Sequence, residues 1–189
     1  MNIILRTHSG NTVFRPDSSR NHNAADYYVP ESVSALAYSP VVYVRLSRAG
    51  KCIASKFASR YYDAVNFGLL LYPSDLLDGS EEGFAAASCL DGTSIMPFHM
   101  YQSITLGSEN NDFVIFRSDK EIFRCKAVGM QERIEEAIVE ASRFTRTRTG
   151  DMLALELEAR SLLCKRGEEG PAIRMTYCNN ITADFKIVF

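Results

Sequence analysis

At 189 residues, with 46% apolar and 23% charged side chains, the chain is long enough to bury a full core and too apolar to be disordered. Its 21 basic and 23 acidic residues leave a formal charge of -2 with neither sign gathered into a run, which speaks against a nucleic-acid partner. No stretch approaches the roughly 20 apolar residues of a membrane span, and Ile3-Ile4-Leu5 is too short for a secretory leader. No membrane partner and cytoplasmic residence are therefore expected.

Residues 13 to 30 are rich in Pro, Asp, Ser and Asn around Phe14 and Tyr27-Tyr28, a pattern of short extended pieces joined by turns. Val41 to Leu46 is a strand, and Ala49-Gly50-Lys51 predicts a turn into a hairpin with Cys52-Ile53. Phe57 to Asp63 reads as a helical turn, and the apolar run Val65 to Tyr72, interrupted by Gly68 and stopped by Pro73, as a buried strand. Between Asp75 and Gly92 the chain is small and acidic, which predicts a mobile connection. Ser103 to Leu106, Phe113 to Phe116 and Glu121 to Cys125 are spaced as an antiparallel meander.

Gly129 to Phe144 carries Met130, Ile134, Ala137, Ile138 and Ala141 on one face and Glu132, Glu135, Glu136 and Glu140 largely on the other. It is the only clear helix, and its glutamates read as a solvated face. Arg143, Arg146 and Arg148 after it read as a solvated loop. Met152 to Leu157, Ile173 to Tyr177 and Phe185 to Phe189 are closing strands. Without linker, repeat or low-complexity segment, the expectation is a single domain over 1-189, α+β and mostly β.

Five cysteines, Cys52, Cys89, Cys125, Cys164 and Cys178, show no C-x-x-C spacing, so neither a disulfide frame nor a thiolate metal site is implied. Reduced and mostly buried thiols are expected. His8, His22 and His99 have no metal-ligand spacing. Cys89 is a speculative nucleophile, with His99 as its base if the fold joins them. Glu156 and Glu158 alternate with Leu155 and Leu157, which predicts a half-buried strand with both carboxylates in solvent.

The order of elements resembles the catalytic domain of the fumarylacetoacetate hydrolase family. Arg48-Ala49-Gly50-Lys51 through Phe57 to Asp63 resembles its strand, turn and Y-Y-D helix. Gly68 to Leu76 sits where the family has G-[IV]-D-F-T-A-R-D-L-Q, Leu90-Asp91-Gly92-Thr93 resembles K-x-F-D-G-[ST], and Met130 to Ser142 with Gly150-Asp151 resembles its methionine-led helix and following G-D. The resemblance covers about residues 13 to 189, leaving 1-12 as a divergent, shortened N-terminus. It implies a mixed β-roll with one main helix, a homodimer, and hydrolysis, isomerisation or decarboxylation of 2-oxo acids with Mg²⁺ or Mn²⁺.

Three acidic residues hold that ion in the family. The E-x-E pair falls on Ser39 and Val41, and the aspartate of G-[IV]-D falls on Leu70. The arginine of A-R-D falls on Ser74, the lysine before F-D on Ser88, and the substrate-binding threonine of T-G-T-P on Leu157. These six are vestigial pocket positions, so the expectation is no metal, no cofactor and no catalytic residue. The leading reading is a degenerate homologue acting as a binding or structural homodimer, with hetero-assembly with an active relative also open. The alternative is an enzyme of small 2-oxo or dicarboxylic acids, acting through a remodelled site that uses Cys89, Ser88 or Glu156.

Overall fold

The computed structural model describes residues 2–189, so Met1 lies outside the described residues. Two long strands organise the molecule: β3 (Ala35–Leu46) and β4 (Tyr62–Pro73) pair antiparallel, Leu36 opposite Pro73 and Val44 opposite Val65. Side chains alternate across a pleat, so each strand feeds two cores. Tyr38, Val42 and Val44 of β3 with Phe67, Leu69 and Leu71 of β4 face one core. Ala37, Val41 and Tyr43 with Leu70 and Tyr72 face the other.

β1 (Ile3–Arg6) pairs antiparallel with β2 (Thr12–Arg15) and parallel with β7 (Met152–Glu156), and β7 pairs antiparallel with β3 from Val41 to Arg45. The first half of the same β3 edge, Ala35 to Tyr38, is instead taken by β8 (Ser161–Lys165). Where the partner changes, the Leu157 amide donates to the Pro40 carbonyl at 2.8 Å, and the loop carrying Glu158 and Arg160 leaves the sheet beside Ser39. Short pieces Arg20–Asn21, Ser94–Ile95 and Tyr101–Gln102 extend the β4 side.

A second sheet runs β6 (Lys120–Lys126), β5 (Asp112–Arg117), β9 (Ala172–Tyr177) and β10 (Asn180–Val188), closed by Tyr27–Tyr28. Phe113, Ile115, Ile173, Met175 and Tyr177 from this sheet join Ile134, Ala137 and Ile138 of α2 (Met130–Phe144) in the larger core. Phe67 stacks on Phe113 with ring centroids 4.9 Å apart, tying the sheets together. The other face of the first sheet is covered by Ala87 of α1 (Glu81–Ser88), with Met96 and the partly buried Phe84 and Val13.

Most elements lie where the sequence places them, and the exceptions have local causes. The connection from Asp75 to Gly92 is not a mobile loop: Ser80 caps α1 by accepting from the Gly83 amide at 2.9 Å, and Glu81 and Glu82 complement the helix start. α2 is therefore not the only α-helix. Ser103 to Leu106 is not a strand but part of a 3-10 helix, Ser103–Gly107, because Asn111 Nδ2 and the Tyr177 hydroxyl bond to Thr105 and hold the turn. No hairpin forms after Leu46: Gly50 bridges to Thr147, and the Cys52 amide donates to Ser142 at the end of α2. β1 and β8 are strands for which the sequence pattern gives no expectation.

Gly68 lies at the centre of β4, where a Cβ would come within 2.4 Å of the Ile95 carbonyl oxygen and 3.2 Å of the Tyr43 ring. Only hydrogen fits there. Gly68→Ala is expected to lower the unfolding free energy by about 1–3 kcal/mol through overpacking. Urea denaturation with an unchanged m-value would show it.

Candidate functional site

The face of the first sheet beneath α1 is largely apolar and carries one extended polar cluster. Arg15, the last residue of β2, is 1% exposed. Its Nε donates to the Ser88 carbonyl at 3.1 Å, and its Nη2 donates to the Leu71 carbonyl at 3.2 Å and Thr93 Oγ1 at 2.7 Å. Thr93 is fixed in turn by donating to the Leu90 carbonyl at 2.6 Å, so the Leu90-Asp91-Gly92-Thr93 turn serves as an anchor for the guanidinium.

That guanidinium lies 4.8 Å from the centroid of the Tyr72 ring. The Tyr72 hydroxyl donates to Glu156 Oε1 at 2.6 Å, and the His8 amide donates to Oε2 at 2.9 Å. Arg160 completes the cluster, its Nε 3.4 Å from Oε1 and its guanidinium 4.8 Å from the Tyr72 ring and 4.3 Å from that of Phe84. Cations over aromatic faces are favoured when desolvated, and a buried carboxylate persists only when its oxygens are bonded. Burial pushes the Arg15 pKa down, opposed mainly by Tyr72 and Glu156, and burial pushes the Tyr72 phenol up.

Glu156 is thus a correction to the sequence reading. It is 2% exposed rather than in solvent, whereas Glu158 is exposed as expected. The reason is that both faces of this sheet are covered, so Leu155 enters one core while Glu156, opposite Val41, enters the other. Arg15, Tyr72 and Arg160 were missed. The continuous apolar run Val41 to Val44 was the available signal, since a strand buried on both faces makes its neighbour's alternate residues buried too.

Above the cluster is a cleft of about 790 Å³ between the Thr7–Phe14 turn, α1 and the end of α2. Ser88, Arg160 and Phe84 line it with Phe14, Phe144 and Glu140. Glu140 is ion-paired with Arg6. A second groove of about 570 Å³, carrying Glu132, Glu135 and Glu136, continues along α2.

Of the six positions that the resemblance marks, Ser39, Val41 and Leu70 are 0% exposed and Ser88 is 2% exposed. Ser39 and Leu70 are opposite one another, and Val41 is opposite Gly68. Ser39 Oγ is spent on the Glu158 carbonyl at 2.8 Å. Val41 and Leu70 pack with Ile3, Leu5, Tyr43 and Met152. Ser74 and Leu157 are half-buried at the far end of β4 and just beyond β7. None of Ser39, Val41, Leu70 and Ser74 lines the clefts described; Ser88 does.

No family model matches the sequence, and no curated protein resembles it. Solved structures do. A protein assigned to the fumarylacetoacetate hydrolase family from Yersinia pestis CO92 superposes with a TM-score of 0.81 at 12% identity, over 99% of this chain and 92% of its own. The chain has the fumarylacetoacetate hydrolase fold. Fumarylpyruvate hydrolase from Pseudomonas aeruginosa, in complex with Mn²⁺ and pyruvate, gives 0.80 at 13% over 100% and 90%. 2-Hydroxyhepta-2,4-diene-1,7-dioate isomerase from Mycobacterium marinum gives 0.78 at 10% over 99% and 74%. Identities this low establish fold and leave chemistry to the residues.

A dication of the kind in the Pseudomonas structure requires convergent oxygen ligands. A hydroxyl already donated elsewhere and two hydrocarbon side chains do not fit it. Among the described residues no group of three or more His, Cys, Asp or Glu converges. Cys89 is exposed at the end of α1, whereas the His99 ring packs edge-on against Tyr101, 4.9 Å between centroids. No hydrogen bond joins the two among the described residues.

The thiols are more exposed than the sequence suggested, because Cys52 and Cys89 sit in turns that no element covers. Burial pushes the Cys125 thiol up to about 12 and the Cys164 thiol up to about 11, so both stay protonated near neutrality. At about pH 8 a disulfide reagent should label Cys52 and Cys89 fast and reach Cys125 and Cys164 only on unfolding, since the thiolate is the reactive form. Tyr72→Phe should cost about 1–3 kcal/mol by leaving Glu156 Oε1 short of a donor. Thermal and urea unfolding would measure it.

Proposed function

We propose that this chain is a catalytically silent relative of the fumarylacetoacetate hydrolases, working as a binding or structural homodimer without a divalent metal. The observation that carries this reading is the packing of Val41 and Leu70. Both fall where the resemblance puts metal-binding carboxylates, and both are fully buried in a continuous apolar cluster. Moving a small ion into such surroundings costs several kcal/mol even after relaxation, and only paired anions offset it. Glu156, the residue opposite Val41, already accepts from Tyr72, His8 and Arg160.

The solved hydrolases with this fold include enzymes of acylpyruvates, so the competing reading is turnover of such acids through a rebuilt site. Among the described residues no serine or cysteine of the cluster is hydrogen-bonded to a carboxylate or imidazole base. The expected outcome is that purified protein, dialysed against Mn²⁺ or Mg²⁺, retains no stoichiometric ion by elemental analysis and hydrolyses no acylpyruvate above background. One bound ion per chain with metal-dependent turnover would overturn the proposal. Light scattering tests the homodimer.

A further inference from the structure

Among the described residues, two buried polar atoms beside the cleft floor have no hydrogen-bond partner. Ser88 Oγ, on a residue 2% exposed that lines the cleft, makes no hydrogen bond, and neither does Nη1 of Arg15, whose Nε holds the Ser88 carbonyl. Leaving buried donors unmet is costly, and such a group calls for a partner such as a water, an ion or a ligand. The local charge points the same way. Two guanidiniums, Arg15 and Arg160, face a single carboxylate, Glu156, which reaches Arg160 only at 3.4–3.5 Å. The floor therefore carries one positive charge in excess.

The walls restrict what could neutralise it. Phe84, Phe14 and Phe144 give the cleft an apolar side, and Phe144 is 74% exposed at the end of α2. Glu81 stands at the rim beside the Arg6-paired Glu140 and disfavours a second negative charge on an occupant. An anion with one carboxylate and an apolar body matches both conditions, and a dicarboxylate does not.

We infer that the cleft between the Thr7–Phe14 turn and α1 is a metal-independent binding site for a small monocarboxylate with an apolar tail. Arg160 receives the carboxylate, Ser88 Oγ, buried just beneath the cleft wall, turns outward to donate to it, Arg15 behind them supplies the balancing charge, and the phenylalanines cover the tail. The metal-free part of this inference rests on the reading of Val41 and Leu70 given above. The site itself rests on Arg15, Ser88 and Arg160, none of which belongs to the metal-ligand positions.

Calorimetric titration of the full chain in excess chelator tests it, with phenylacetate, its neutral analogue phenylacetamide, and glutarate as probes. Phenylacetate should bind at one site per chain, about tenfold or more tighter than either comparison probe, as expected for one charge-assisted contact. Arg160→Gln should weaken phenylacetate binding about tenfold while leaving the weak binding of phenylacetamide in place. Ser88→Ala, a smaller change, should weaken it severalfold and keeps the test valid if the arginine variant does not fold. Equal affinity for acid and amide, or no binding of any probe, would overturn the inference and leave the metal-free reading standing. Binding that arises only when Mn²⁺ is added would overturn both.

Discussion

The pairing of β3 with β4 governs what every other residue of the site can be. Eleven opposed pairs lock Leu36 to Leu46 against Pro73 to Tyr62, and the alternation along them decides which side chains enter which core. A slip by one position would carry Phe67, Leu69 and Leu71 away from the second sheet and bring Asn66 and Gly68 into their place. The sandwich of Phe67 against Phe113 and Tyr177 holds the register from one side, and the close seat of Gly68 against Ile95 from the other. Ser39, Val41, Leu70, Tyr72 and Glu156 come together on one face because that register allows nothing else.

On that face, in the reading proposed above, one electrostatic solution stands in place of another. A dication needs several anionic oxygens in a confined space, and such oxygens repel one another until the ion is bound. Here two of those places are hydrocarbon and the third a hydroxyl turned to a backbone carbonyl. What charge remains is supplied covalently, through Arg15 and Arg160 around Tyr72 and Glu156, and the aromatic ring lets two cations share one small region. Such a cluster is present whether or not any ion is in solution.

Much of the fold was legible in the sequence. β3, β4, the hairpin of β5 and β6, α2 and the closing strands follow from period-two and period-3.6 patterns, and the fumarylacetoacetate hydrolase fold from the order of weak motifs. α1 was not legible, because its signal is a capping serine in a glycine-flanked acidic stretch that composition alone assigns to loop. Half of the site was also hidden. Ser88 could be placed by its neighbours in Leu90-Asp91-Gly92-Thr93, but Arg15 sits in the pattern Thr12-Val13-Phe14-Arg15 with the charge inward and Phe14 exposed, against the usual polarity of a strand. Only the tertiary environment, with the Ser88 carbonyl of α1, the Leu71 carbonyl of β4 and the Thr93 hydroxyl aimed at one point, makes that inversion stable.

The parallel contact between β1 and β7 joins Ile3 to Met152 and Arg6 to Leu155. β1 thus gains its parallel neighbour only after the whole stretch between Arg6 and Met152 has been made. During that interval Ile3, Ile4 and Leu5 are an unsheltered apolar edge, held only by the local ladder with β2. Closing a loop of this span is entropically slow, so docking of the amino-terminal hairpin belongs to the late stage of folding. Because Arg15 ends that hairpin, the cationic floor of the cleft is assembled only when the rest of the sheet already exists.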